Sequence, residues 1–225
     1  MKVLAIDTAT EQCSVAVRVD GRTFEQRALT ARGHAELLLP MVDKVMVEAG
    51  CTLANLDGLA FGRGPGAFTG VRIAVGAIQG ISLGSGLPVV GVSTLAAVAQ
   101  QFVVAGEAVL VCMDARMNEV YWGVYSRDAS GVLSLVGKES VGLPGSVSLG
   151  DQHVVMGVGT GFRAYPALKE QFQGLRFDDT ALPNAQAIAS LGESALCRGE
   201  GLPASGAQPV YLRDQVAWVT AAPVK

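Results

Sequence analysis

The chain has 225 residues, a length that fits one large domain or two small ones. Half of its residues are apolar and only 16% are charged, a composition that excludes a disordered chain. The 17 basic and 20 acidic residues give a net charge of −3, which argues against a self-sufficient nucleic-acid-binding protein, because such proteins carry a basic excess. So low a charge content also fits a protein that buries part of its surface against a partner.

The cysteines and the apolar segments favour a cytoplasmic protein without a membrane anchor. The four cysteines lie far apart, at Cys13, Cys51, Cys112 and Cys197. None belongs to a Cys-x-x-Cys pair and no histidine completes a zinc spacing, so we expect neither disulfides nor a metal site. No signal peptide is expected, because Asp7 ends the first apolar run. Residues 73–106 carry no charge, but Pro88 and six glycines interrupt them too often for a transmembrane helix.

The first half of the sequence predicts a strand, a hairpin and then alternating helices and strands. Apolar runs predict strands at residues 1–7, 57–62 and 89–92, an alternating segment predicts one at 12–19, and residues 22–29 are expected to return as its hairpin partner. Asp20-Gly21 is a dipeptide typical of hairpin turns. Helical periodicity predicts three helices, at residues 34–49, 71–83 and 93–103, with Ser93 as the cap of the third.

The second half repeats this plan. Four strands are predicted at residues 109–114, 119–126, 133–140 and 153–157, and two helices at residues 162–172 and 183–198. A loop rich in glycine, proline and serine follows at residues 199–209. The repeated plan predicts two α/β lobes, residues 1–103 and 104–215, joined near 102–107. Residues 216–225 form a tail that is either disordered or packed on the first lobe.

A glycine-rich segment, Gly62-Arg-Gly-Pro-Gly-Ala-Phe-Thr-Gly70, joins a predicted strand to a predicted helix. It lacks the Gly-Lys-Ser/Thr of a P-loop and the spacing of a dinucleotide fingerprint. Two interpretations stay open, namely anion binding at the helix N-terminus and close packing of the strand against the helix.

Three residues are candidates for nucleotide binding: Asp7, Thr8 and Gly159. Asp7 ends the first strand, where it either holds a metal ion or water in a phosphate site or accepts hydrogen bonds from a turn. Residues 157–161, Gly-Val-Gly-Thr-Gly, resemble a phosphate or adenosine turn. His34 is more typical of a structural residue than of a base or ligand, and His153 is assigned no role.

Two predicted helices carry more apolar surface than a one-sided surface helix needs. In residues 34–49 one stripe contains Leu38, Met41, Val42 and Val45, and a second contains Leu39, Met46 and Ala49. In the other helix Gly76, Gly80 and Gly84 recur every four residues, which leaves a bare face for the close approach of another helix. Packing inside the chain and packing against another subunit both explain these faces.

Five motifs then resemble, in chain order, those of the TsaB (YeaZ) family. They are Ile-Asp-Thr-Ala-Thr at 6–10, His-Ala-Glu-Leu-Leu-Leu-Pro at 34–40, Gly-Pro-Gly-Ala-Phe-Thr-Gly-Val-Arg at 64–72, Gly-Val-Ser-Thr-Leu-Ala at 91–96 and Pro-Val-Tyr-Leu-Arg at 209–213. That family is the non-catalytic subunit of the bacterial machinery that makes threonylcarbamoyladenosine in tRNA. The resemblance implies a two-lobed actin/hexokinase/Hsp70-like (ASKHA) α/β fold, with mixed sheets flanked by helices.

The resemblance also implies a chain without catalytic residues, bound metal or a tightly bound cofactor. The catalytic sister, TsaD, carries a metal-binding His-x-x-x-His after the strand that corresponds to residues 89–92, where this chain has Thr94 and Val98. After Asp7, the sequence Ala9-Thr10-Glu11 replaces the glycine that kinases of this fold use near phosphate.

The family's partners are expected to be those of this chain: a TsaD-like transferase, a TsaE-like ATPase recruited to the complex, tRNA reached indirectly, and a second copy when the transferase is absent. The expected partner interface comprises Leu38, Met41, Val42, Val45, Arg72, Val75, Gly76, Gln79, Gly80 and Leu83. The alternative is an active member of the same fold, a glycoprotease-like peptidase or a small-molecule kinase. A third interpretation is a homodimeric scaffold or sensor.

Overall fold

The computed structural model describes residues 1–150 and 152–213, and these form two five-stranded mixed sheets with helices on their faces. The strands are β1 (Lys2–Asp7), β2 (Gln12–Val19), β3 (Arg22–Leu29), β4 (Gly58–Gly62), β5 (Val89–Val92), β6 (Ala108–Arg116), β7 (Glu119–Arg127), β8 (Leu133–Gly142), β9 (Val154–Val158) and β10 (Arg176–Asp178). The helices are α1 (His34–Glu48), α2 (Phe68–Ser85), α3 (Thr94–Ala99), α4 (Gly161–Ala164), α5 (Ala167–Gln171) and α6 (Ala185–Cys197).

The first sheet has the strand order β3-β2-β1-β4-β5. Strands β1, β2 and β3 are antiparallel, and the β2–β3 turn places Asp20 and Gly21 at positive φ, as a tight hairpin requires. Strands β1, β4 and β5 are parallel, so their carboxyl ends meet at one edge of the sheet. That edge is where open α/β sheets bind ligands.

Helices cover both faces of this sheet because its strands are apolar on both sides. From β1, Leu4 and Ile6 pack with α1 and α2, whereas Val3 and Ala5 face the opposite side and pack with α6. Helix α6 approaches the sheet closely at Gly192, where an added Cβ atom would lie 2.5 Å from the Cβ atom of Ala60.

The second sheet has the order β10-β9-β6-β7-β8. Helix α3 packs on one of its faces, with Leu95 and Val98 against strands β6 and β7. Helices α4 and α5 cover the other face through Phe162 and Leu168, which are fully buried. The layers therefore run from α1 and α2 through the first sheet, α6 and α3, and the second sheet to α4 and α5.

The structure corrects several predicted helices. Helix α2 begins at Phe68, three residues before the expected start, and α3 ends at Ala99 rather than at residue 103. The predicted helix 162–172 is two short helices separated at Pro166, whose ring nitrogen has no proton to donate to a helical hydrogen bond. Strand β10 was not predicted because three residues are too few to show a pattern.

Helix α6 lies within residues 104–215 yet packs on the first sheet, which corrects the assignment of this segment to the second lobe. Arg18 of β2 pairs with Glu193 at 2.6 Å, and the Ala185 amide donates to the Ser14 hydroxyl at 2.9 Å. The sequence could not show this, because the pairing joins residues more than 170 positions apart. The predicted tail at 216–225 lies outside the described residues.

Candidate functional site

Asp7 stands at the carboxyl edge of the first sheet and is completely buried. Its Oδ1 atom accepts a 3.4 Å hydrogen bond from the Ala9 amide, and its Oδ2 atom has no protein partner in the described part of the chain. Burial raises the pKa of Asp7 to about 7, against a smaller lowering by the amides of Ala9 and Thr8. Gly62 lies directly against the carboxyl group of Asp7, since a Cβ atom there would be 2.0 Å from Oδ1.

The glycine-rich segment packs on the turn that follows Asp7. A Cβ atom on Gly66 would lie 2.4 Å from the Ala9 carbonyl oxygen, and one on Gly70 would lie 2.0 Å from the Thr8 carbonyl oxygen. The Thr8 hydroxyl donates to the Gly70 carbonyl at 2.7 Å, and the Ala67 amide donates to the Ala9 carbonyl at 2.8 Å. These contacts confirm the close-packing interpretation of the glycines. The first turn of α2 fills the space beside the turn at Asp7.

The glycines of the second lobe are also explained by packing. Gly159 has φ +109°, and a Cβ atom on it would lie 2.3 Å from the Cys112 carbonyl oxygen. A Cβ atom on Gly157 would meet the rings of Phe162 and Phe177 at 2.7 and 2.8 Å. Asp7 and Thr8 therefore lie together at the end of β1 in the first sheet, whereas Gly159 lies directly after β9 of the second sheet.

A polar cluster that the sequence analysis missed joins the two sheets. Ser93, the cap of α3, donates to the carboxylate of Glu139, and the Tyr125 hydroxyl donates to the same carboxylate oxygen. Burial raises the pKa of Tyr125, and the negative charge of Glu139 raises it further. No sequence signal could have linked these residues, because Ser93 follows β5 whereas the other two lie on β7 and β8.

The two positions that were expected to correspond to the TsaD metal ligands lie in the protein core. Thr94 and Val98 are both fully buried. Across residues 1–150 and 152–213, no three His, Cys, Asp or Glu side chains are grouped as a metal set. His34 lies at the start of α1 with its Nε2 atom 2.9 Å from the Thr10 carbonyl oxygen, and His153 is exposed. None of the described helices is long and apolar enough to cross a bilayer.

Four residues of the predicted partner interface belong instead to the core of the chain itself. Leu38, Val42, Val45 and Val75 are at most 7% exposed and pack beneath α1 and α2 on the first sheet. This corrects the predicted interface, because these side chains already have partners. Helical periodicity does show two apolar stripes on α1, but it cannot show which stripe faces the sheet.

The remaining predicted interface residues lie mostly on the outer face of α2. Leu83 is 78% exposed, and Arg72, Gly76 and Gly80 are exposed as well. Met41 is half-buried against the core, and Gln79 donates from Nε2 to the Ala207 carbonyl at 2.8 Å, so these two predicted interface residues also contact the chain itself.

The glycine stripe of α2, defined as Gly76, Gly80 and Gly84, faces open space. A Cβ atom on any of the three would have no atom within 4 Å. The described part of the chain therefore does not use the bare face for its own packing. Helix α1, which contacts α2, also exposes large apolar side chains, since Leu39 is 57% and Val47 is 80% exposed.

An aromatic stack stands at the start of α2. Phe68 and Tyr211 stack with their ring centroids 5.7 Å apart, and the Arg72 guanidinium carbon lies 3.3 Å from the Phe68 centroid. Phe68 is 60% and Tyr211 is 42% exposed. Tyr211 belongs to the Pro-Val-Tyr-Leu-Arg motif at 209–213, but its contact with α2 was not predictable because the two residues lie far apart in the sequence.

Comparison with known proteins decides the family. A family model described as TsaD, tRNA N6-adenosine threonylcarbamoyltransferase, matches residues 25–147. A protein of Escherichia coli K12 named "tRNA threonylcarbamoyladenosine biosynthesis protein TsaB" is 42% identical over 97% of both chains. A Haemophilus influenzae protein of the same name is 37% identical over 97% of this chain and 96% of its own. The chain belongs to the TsaB family.

A solved TsaB-family structure has the same fold. The structure described as "YeaZ from Pseudomonas aeruginosa" aligns with a TM-score of 0.85 at 42% identity, and the alignment covers 94% of this chain and 99% of that one. The resemblance of the sequence motifs to the TsaB (YeaZ) family is confirmed. The expected two-lobed ASKHA fold is confirmed as well, with two mixed sheets flanked by helices.

Proposed function

We propose that this chain is a non-catalytic subunit in the biosynthesis of threonylcarbamoyladenosine in tRNA, and that it pairs with and activates a TsaD-type transferase. The names of its Escherichia coli and Haemophilus influenzae relatives support the pathway. The main structural support for the subunit role is the contrast between two surfaces of the chain. At the carboxyl edge of the first sheet the chain packs its own glycine-rich segment against the turn after Asp7, whereas the outer face of α2 has no packing partner in the described chain.

The packing of the glycine-rich segment on the turn after Asp7 supports the absence of catalysis. A kinase of this fold needs an ionised carboxylate and space for phosphate beside it. Here Asp7 is buried with its pKa raised, and the first turn of α2 packs on the adjacent turn. The same contacts argue against tight nucleotide binding, so we propose that no cofactor is tightly held.

The bare face supports pairing. Glycines spaced by four let a partner helix approach the α2 backbone closely, with van der Waals contact along several turns. Exposed apolar residues of α1 and α2, such as Leu39 and Leu83, add area that a partner would remove from water. We propose that a transferase helix packs here, that a second copy takes its place when the transferase is absent, and that a TsaE-type ATPase joins the assembled pair.

The proposed complex leaves most of the tRNA contact to the other subunits. The net charge of −3 supports this division, because phosphate binding needs a basic excess. We propose a cytoplasmic site of action, where tRNA is modified.

Reconstitution of tRNA modification from purified components tests the proposal. We expect no modified adenosine when the chain is omitted, and full modification when it is added. Gly80→Leu should fail to restore activity, since a leucine would hold the partner helix away. Gly145→Leu is the matched control, because Gly145 also has no atom within 4 Å of an added Cβ but lies in the second lobe. Modification that proceeds equally without the chain contradicts the proposal, and ATP turnover by the chain alone would favour the kinase alternative.

A further inference from the structure

We propose that Arg72 is the polar anchor of the interface on α2, and that the transferase places a carboxylate side chain on its guanidinium group. This inference rests on the proposed function. It adds the chemistry of the contact, which neither the family match nor the glycine stripe specifies.

The geometry holds the guanidinium in place before any partner arrives. The Arg72 guanidinium carbon lies 3.3 Å from the Phe68 ring centroid and 5.1 Å from the Tyr211 ring centroid. The two rings are inclined by only 29° to each other. Stacking on aromatic faces restrains an arginine that would otherwise sample many rotamers, so less entropy is lost when it binds. Aromatic and arginine side chains are also the residue types that dominate binding energy at interfaces.

The hydrogen-bond donors of Arg72 are not used by the described chain. Within residues 1–150 and 152–213, its side chain makes no hydrogen bond and no ion pair, whereas Arg18 and Arg213 are both paired with glutamates. The guanidinium therefore offers a planar set of donors beside an apolar face. A carboxylate fits that set with two parallel hydrogen bonds.

The surroundings of Arg72 favour a protein carboxylate over a nucleic-acid phosphate. Arg72 is the only charged residue of α2, and it is followed on the same face by Gly76, Gly80 and Leu83. A phosphate-binding surface spreads several cations along the backbone it contacts. A single cation on an apolar face needs a counter-charge from the partner that covers it. When a partner covers that face the charge leaves water, and without a counter-charge its desolvation would oppose binding.

The test measures the affinity of the full chain for the purified TsaD-type transferase by calorimetry. We expect Arg72→Met to weaken binding by at least about 30-fold, as truncation of one member of a desolvated charge pair does. Arg72→Lys should lose less, because it keeps the charge but not the planar fork. The matched control is Arg22→Met. Arg22 is also exposed and lies 5.0 Å over an aromatic ring, that of Phe24, but it stands on β3 away from α2. We expect its affinity to stay within about threefold of the wild type.

Four results separate the possibilities. Rescue of Arg72→Glu by a lysine at one exposed carboxylate of the transferase would identify the paired residue and establish the inference. If Arg72→Met binds the transferase as tightly as the wild type, the carboxylate anchor is overturned but the proposed function is not. The same holds if Arg72→Met weakens only the binding of unmodified tRNA. No binding of the wild-type chain to the transferase overturns both. Because the Arg72 side chain is exposed and its stacking on the two rings contributes only weakly to stability, we expect the melting temperatures of the Arg72 variants to fall by no more than about 4 °C.

Discussion

The glycine stripe of α2 predicts opposite effects on stability and on binding. Glycine inside a helix costs about 1 kcal/mol relative to alanine or leucine. An added Cβ atom on Gly80 meets nothing within 4 Å, so Gly80→Leu should recover that free energy in the monomer, at protein concentrations too low for self-association. For a protein of this length, about 1 kcal/mol raises the melting temperature by about 2–4 °C.

In the complex the same leucine should weaken binding. It would hold a partner helix away from the α2 backbone, and overpacking of this kind costs about 1–3 kcal/mol. The affinity for the transferase should therefore fall by about 5- to 150-fold. Thermal unfolding of the isolated chain and calorimetric titration of the transferase measure the two effects on the same preparation.

Two controls make this prediction specific. Gly192→Ala should lower the melting temperature, because its Cβ would lie 2.5 Å from the Cβ atom of Ala60 inside the core. Gly145→Leu should leave the affinity unchanged, because Gly145 is remote from α2 in the chain and lies in the second lobe. A fall in the melting temperature of Gly80→Leu, with normal binding by the fraction that stays folded, would falsify the assignment of the stripe to an interface.

Three further predictions concern the chain without its partner. The pKa of Asp7 in the folded chain, about 7, exceeds its ordinary value of 3.8, so the folded chain binds a proton that the unfolded chain releases. The free energy of unfolding should thus fall by up to about 4 kcal/mol as the pH rises from about 4 to 7. Urea titrations should show this pH dependence for the wild type but not for Asp7→Asn, and an equal dependence in both proteins contradicts the raised pKa of Asp7. The chain should show no ATPase, kinase or peptidase activity, and turnover that survives repurification but disappears in Asp7→Ala would contradict this. Its exposed apolar residues, Val47 and Leu83 among them, should make it self-associate in light scattering, and a monomer at high concentration would count against that.

Most strands were predictable from the sequence because they are compact apolar or alternating runs, and the largely polar β3 was predictable because the Asp20-Gly21 turn leads back from β2. Strands β1 to β9 begin and end within two residues of the predicted positions, and the predicted hairpin turn at Asp20-Gly21 is present. Helix boundaries were less predictable. The start of α2 depends on contacts of Gly66 and Gly70 with the turn after β1, which no local pattern reveals.

The candidate site was predictable only in part, because burial depends on tertiary packing. The spacing of Gly76 and Gly80 indicated a bare helix face, but not that the face is open to solvent. On α1 the same periodicity describes Leu38, which is buried, and Leu39, which is exposed. The stack of Phe68 with Tyr211 joins residues that are far apart in the sequence, so it becomes visible only in the folded structure.

The position of α6 has a consequence for synthesis on the ribosome. Val3, Ala5 and Ala60 are among the first residues to leave the exit tunnel, yet the helix that covers them, Ala185–Cys197, emerges after nearly the whole second sheet. Until then one apolar face of the first sheet has no cover, and such transiently exposed faces are prone to aggregation. The amino-terminal half therefore completes its fold after the segment that follows it, and a nascent chain stalled before residue 185 would carry that face uncovered.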